Sequence, residues 1–215
     1  PLAAWETNNI RIDMKSSAKV LVGTPWARFI AAHTSQAFWY RVWDVFGSAL
    51  AKVRPKLRRN STAGPRGATV DVAFKCSPGV NTPVKVKSSV RGPHVDKPNK
   101  LITGLFYLPM EGDKAGGDLV LYNSTPETKT PSFDKSVLNP ETISPAVTVP
   151  YSQNVAVFYM NGPRSVHGVT ERDVTPLPRR LASIGVFACP RPSGSRRTRT
   201  AKSSVPPFTV RRAFR

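Results

Sequence analysis

The chain has 215 residues, enough for one domain with its own core, and its 21 Pro and 14 Gly fall between short apolar runs, which excludes a helical bundle in favour of many short strands. No apolar run reaches the ~18–20 residues of a spanning helix and no basic-then-apolar leader opens the chain, so a soluble, cytoplasmic protein is expected. Two distant cysteines, Cys76 and Cys189, exclude a zinc ribbon or a disulfide framework. The net charge of +19 is segmental: residues 191–215 hold eight basic side chains and residues 52–66 six, neither with an acid, leaving +5 elsewhere. Such segments can serve nucleic acid, an anionic surface or an acidic substrate, or can be solvated loops.

Residues 9–22 alternate apolar with polar and predict one or two edge strands. Pro25 after Thr24 starts a helix. Phe29, Ile30, Phe38, Val42, Trp43, Phe46 and Leu50 then recur at helical spacing. Thr34 or Ser35 caps a second helix that ends at Gly47 or soon after. The aromatic residues here read as core, and His33 as structural or exposed. Residues 51–67 read as a mobile loop, placed to act as a lid if it borders a site.

Strands are predicted at 68–76, 84–90, 101–108 and 118–122, the last after a turn at Gly116-Gly117. Residues 123–141 are a loop, and strands resume at 146–150, 154–160, 165–169 and 180–188. The fold class is mainly β with N-terminal helices, a double-stranded β-helix (a cupin-like jelly roll) able to enclose a cavity between two sheets. One domain spans 1–189, with helical support at 25–50 and the jelly-roll core at 68–189. A basic tail follows at 190–215, with Phe208 and Val210 as its candidate anchors.

The candidate chemistry centres on His94-Val95-Asp96. Residues two apart on an extended strand share a face, with Cα atoms roughly 6.5–7 Å apart, so one imidazole and one carboxylate converge. A second imidazole, His167, lies downstream in GPRSVHGV. Two histidines and one carboxylate form the facial triad of non-haem Fe(II) oxygenases.

The run HVDKPNKLITGLFYL, then GGDLVLY, then SVHGV followed by PRRLASIGVF, resembles the Fe(II)- and 2-oxoglutarate-dependent oxygenases, particularly prolyl-hydroxylase-like enzymes and their small bacterial and phage relatives, over about residues 70–189. The resemblance implies that His94, Asp96 and His167 hold Fe(II), leaving positions for the 2-oxo acid and O₂. It also implies hydroxylation of a substrate coupled to decarboxylation of 2-oxoglutarate to succinate and CO₂. An arginine on the strand after the second histidine would then hold the distal carboxylate of 2-oxoglutarate. The family pattern favours Arg180, and the insertion TERDVTPLP leaves Arg179 open. Tyr107 stands where relatives place a tyrosine that donates to the same carboxylate. Asp96 itself favours hydroxylation over halogenation.

The implied substrate is a small molecule, a sugar-linked metabolite or a protein side chain. Nucleic acid through the basic segments ranks lower, because RLASIGVF lacks the second arginine of base-demethylating members. The alternative is a non-catalytic cupin-like module whose basic segments bind nucleic acid or a large assembly. A zinc hydrolase on the same three ligands has no obvious general base.

Overall fold

The structure is a computed structural model that describes residues 8–14, 21–114, 116–130, 133, 135–189 and, for the backbone, 211–212. Strands β1 (Arg11–Asp13), β2 (Ala63–Pro65), β3 (Val72–Asn81), β4 (Lys100–Leu108), β5 (Leu119–Ser124), β6 (Ile143–Val149), β7 (Ala156–Met160), β8 (His167–Val169), β9 (Arg179–Ala188) and β10 (Arg211–Arg212) accompany helices α1 (Pro25–Ala32) and α2 (Gln36–Val53). One sheet runs β1-β3-β9-β4-β7-β10, with β2 beside β3, and the other runs β6-β5-β8.

From β3 onward the chain passes repeatedly between these two sheets. It runs from β3 in the large sheet to the His94 segment, which bridges β8 of the small sheet, then to β4, to β5 and β6, to β7, to β8 and to β9. This path is the jelly roll expected from the sequence. Side-chain parity fixes the two faces of the large sheet. Tyr107, Val157, Tyr159 and Leu181 pack inward against Leu119 and Leu121 of the small sheet. Phe74, Cys76, Ile102, Ile184 and Val186 pack outward against Trp39, Val42, Phe46 and Leu50 of α2.

The Ser35 hydroxyl caps α2 by accepting the Phe38 N–H at 3.1 Å. The helix runs past Gly47 and ends at Val53, three residues beyond the expected helical support at 25–50. Gly47 is there for packing, since a Cβ would lie 2.6 Å from Trp43 Nε1. His33 is structural: its Nδ1 meets the Phe29 carbonyl at 2.8 Å and its ring packs on Phe29 and Phe106.

Three further expectations change. Residues 84–90 form single bridges at Val84 and Ser88 rather than a strand, because Asn8 Oδ1 accepts the Lys85 and Val86 N–H groups that a ladder would use. The 51–67 segment is packed, not loose: Leu57 and Ser61 are buried, Arg58 O accepts from Trp39 Nε1, and Arg54 donates to Pro98 O. In the tail, Phe208 and Val210 lie outside the described residues, and Arg211–Arg212 add a short antiparallel strand to β7. No helix among the described residues is long and apolar enough to cross a membrane.

Candidate metal centre

His94 and His167 face each other across the small sheet. Each backbone N–H donates to the other's carbonyl at 2.9 Å, the closely bonded pair of an antiparallel ladder, and the ring centroids lie 4.3 Å apart. Val95 points the other way, into a cluster with Val137 and Val166. The period-two alternation therefore returns Asp96 to the histidine face. One ligand atom from each of His94, Asp96 and His167 lies within 4.8 Å of the others, and all three residues are buried.

The backbone also sets the imidazole tautomers. His94 Nδ1 meets Gly92 O at 2.9 Å and His167 Nδ1 meets Ser165 O at 3.0 Å. A carbonyl can only accept, so each Nδ1 carries a proton, and in the neutral imidazole Nε2 then keeps its lone pair. This is the arrangement in which metal-binding histidines are held by their surroundings. Burial, followed by the neighbouring His94, pushes the His167 pKa down to about 3, so its Nε2, 3.6 Å from Asp96 Oδ2, is neutral at pH 7.

Burial alone would raise the Asp96 pKa. The Lys100 ammonium, His167 and hydrogen bonds from Lys100 and Thr103 more than offset it and hold the carboxyl down at about 2. Lys100 Nζ lies 2.8 Å and Thr103 Oγ1 2.9 Å from Asp96 Oδ2. Asn161 adds its amide nitrogen at 3.2 Å from the same oxygen in the orientation that satisfies its neighbours. The donor set of two imidazoles and one ionised carboxylate fits a divalent transition metal with open positions. Sequence reasoning left Lys100 without a role and missed Thr103 and Asn161, whose contacts come from β4 and the turn after β7.

Of the two arginines left open by the sequence, Arg179 turns inward and is buried, whereas Arg180 is exposed on the opposite face of β9. The preference for Arg180 is thus corrected by strand parity. Arg179 lies 3.8 Å above the Tyr151 ring, donates from Nε and Nη2 to Asp113 at 3.2 and 3.1 Å, and from Nη1 to Gly117 O at 2.8 Å. Those bonds engage three of the five N–H groups of a guanidinium. Tyr107 is buried with its ring 5.0 Å from Tyr151; burial raises its pKa, and Arg179 acts in the opposite direction.

Tyr107 lies four residues along β4 from Thr103, about 13 Å at strand rise, so the triad and the Tyr107–Arg179 group mark two positions along one inter-sheet space. A second buried guanidinium, Arg172, approaches Asp113 at 3.5 Å and donates to Leu177 O at 2.9 Å, while its Nε and Nη1 have no hydrogen-bond partner among the described residues.

No protein-family model and no curated protein sequence matches the chain. Among solved structures it is similar to a prolyl 4-hydroxylase from Phytophthora capsici, with 18% identity over 83% of this chain and 47% of that one, at a TM-score of 0.42. It is similar to a prolyl hydroxylase from Trichoplax adhaerens, in complex with a hypoxia inducible factor oxygen degradation domain peptide fragment, with 14% identity over 85% and 66% of the two chains, at a TM-score of 0.39. A Pseudomonas putida prolyl-4-hydroxylase gives 13% identity over 88% and 100%, at a TM-score of 0.35. The chain spans about half of the first of these structures and under two thirds of the second. The jelly-roll path and the His-Asp-His group stand on this chain's own topology and geometry.

Proposed function

We propose that this chain is an Fe(II)- and 2-oxoglutarate-dependent dioxygenase that hydroxylates a small molecule, a sugar-linked metabolite or a protein side chain. The observation that carries the reading is the buried His94, Asp96, His167 group, with ligand atoms within 4.8 Å and both Nδ1 atoms occupied by backbone carbonyls. His94 and His167 would bind Fe(II) through Nε2 and Asp96 through its carboxylate. Bound Fe(II) with 2-oxoglutarate and O₂ supplies oxidative decarboxylation to succinate and CO₂, coupled to insertion of one oxygen atom into a substrate C–H bond.

The chain's own residues bind, orient and shield. Lys100 and Thr103 hold Asp96 in one rotamer and keep it ionised. Arg179, with two N–H groups beyond its bonds to Asp113 and Gly117, would take the distal carboxylate of 2-oxoglutarate, and the Tyr107 hydroxyl would donate to the same group. The apolar lining of Leu119, Leu121, Val157 and Leu181 keeps water from the space between the sheets.

The test is anaerobic addition of Fe(II) and then 2-oxoglutarate to the full chain, followed by visible absorbance. A charge-transfer band that Asp96→Ala abolishes is expected. Absence of a band, or the same spectrum from Asp96→Ala, overturns the reading. Succinate release against metabolites and peptides then addresses the substrate.

A further inference from the structure

Arg172 follows β8 in the chain, is anchored by backbone bridges to Ser88 and Gly116, and is fully buried. Its side chain and that of Arg179 converge on Gly117, whose φ is +75°. A Cβ there would overlap Arg179 Nη1 and lie 2.5 Å from Arg172 Cγ, so the glycine is what lets two arginines share one backbone position. The same two guanidiniums act on one ring: burial pushes the Tyr151 phenol up to about 12, and Arg179 and Arg172 both oppose that rise.

Asp113 does not need Arg172. Arg179 already gives that carboxylate hydrogen bonds from Nε and Nη2 at 3.2 and 3.1 Å, whereas Arg172 Nη2 stands 3.5 Å away and makes its shorter bond, 2.9 Å, to Leu177 O. Nε and Nη1 of Arg172, with three N–H groups between them, are buried and have no hydrogen-bond partner among the described residues. A guanidinium does not escape burial by losing its proton, and a charged donor left unpaired in the interior is costly. Those donors call for an acceptor that the described residues do not supply.

We infer, building on the reading of this space as the co-substrate site, that Arg172 is a second carboxylate-binding residue. With Arg179 it grips the distal carboxylate of the 2-oxo acid, and the pair holds a dicarboxylate even with no metal bound. A carboxylate offers about four lone-pair sites. The two N–H groups that Arg179 keeps beyond Asp113 and Gly117, together with the Tyr107 hydroxyl, would fill three of them, and Arg172 supplies the remaining donor. Arg172 thereby favours a 2-oxo acid with a charged far end over one whose chain ends in a methyl group.

Calorimetric titration of the metal-free full chain with glutarate, which has both carboxylates but no oxo group to offer a metal, tests this. Binding is expected, weakened at least tenfold by Arg172→Met and less by Arg172→Lys, which keeps the charge but not the planar fork. Arg172→Met leaves Arg179 paired with Asp113, so the variant is expected to fold. Glutarate should raise the urea midpoint of the native chain and not that of Arg172→Met. Arg180→Met, on the opposite face of β9, should bind glutarate as the native chain does.

No glutarate binding by the native chain overturns the assignment, as does equal weakening by Arg180→Met. A changed urea midpoint in Arg172→Met with unaltered glutarate binding also overturns it and leaves Arg172 a structural residue. Because no metal is present, the two readings fail separately. Glutarate binding that depends on Arg172, without a charge-transfer band, sinks only the iron chemistry. A band in a chain whose glutarate binding ignores Arg172 sinks only the assignment of that arginine.

Discussion

Asp113 is a side chain whose removal this structure makes costly. Its carboxylate has no exposed surface and receives two hydrogen bonds from Arg179 and a longer contact from Arg172, whose side chains are 4% and 2% exposed. The cluster carries net +1, and burial and the neighbouring Arg179 already lower the Arg172 pKa, with Asp113 opposing them. Asp113→Asn keeps the shape and leaves two guanidiniums buried with no counter-charge. Breaking a buried ion pair from one side costs about 3–5 kcal/mol. At about 2–4 °C per kcal/mol for a domain of this size, Tm should fall by roughly 6–20 °C.

Urea unfolding followed by tryptophan fluorescence, with the fully buried Trp39 as an internal probe, measures the loss. Adding Arg172→Met removes one of the stranded charges, so the double variant should be more stable than the sum of the single effects by about 1–3 kcal/mol. A single-variant loss below about 1 kcal/mol, or strict additivity, would refute the account of a carboxylate clamped by two buried cations.

Five other outcomes follow from the geometry. Thr103→Val removes one hydrogen bond to Asp96 without changing shape and should weaken Co(II) binding about 10–100-fold, read from the visible absorbance of the cobalt form. Tyr107→Phe keeps the packing on Tyr151 and should raise the Kd for 2-oxoglutarate by an amount equivalent to about 1.5–3 kcal/mol, measured by calorimetry with the metal bound. Burial pushes the Cys76 thiol up to about 12, so the thiolate is scarce at pH 8 and mass spectrometry after iodoacetamide should find native Cys76 unmodified and the half-buried Cys189 alkylated. The raised value also means that this thiol's stabilising contribution is intact below its unfolded pKa of about 8.5 and is lost as pH climbs towards about 12, so urea midpoints should decline above pH 9. Trp39→Ala empties a fully buried site and removes one of the two hydrogen bonds to the Arg58 carbonyl, which keeps that from the Ser61 N–H, for a loss of about 3–5 kcal/mol by urea unfolding.

Most strands, and the convergence of His94 with Asp96, were legible because they depend on local alternation, whereas 84–90 alternates without forming a strand. Val95 pointing away from His94 and Asp96 is that alternation realised. The choice between Arg179 and Arg180 was not legible, because RLASIGVFA is apolar on both faces: β9 packs on α2 with one face and on the small sheet with the other. Parity there is set by neighbours, not by pattern. Asp113 sits in MEGDKAGG, which reads as a polar turn. Its burial depends on Arg172 and Arg179, 59 and 66 residues away. Lys100 and Thr103 reach Asp96 from the other sheet, a contact that spacing along one strand does not announce.

The charge shows the same divide between sequence and space. Along the chain the excess lies in residues 52–66 and 191–215, and these runs suggested a solvated loop and a tail. In the fold, a concavity beside Asp96 collects Arg66 from one such run and Lys75, Arg91, Lys97 and Lys100 from segments where the sequence shows no cluster. A charge run in sequence is screened by its own solvation, whereas cations gathered around a concavity with low-dielectric walls reinforce one another's field. The +5 left outside the two basic runs is therefore no guide to the surroundings of Asp96, where basic side chains from separate segments meet.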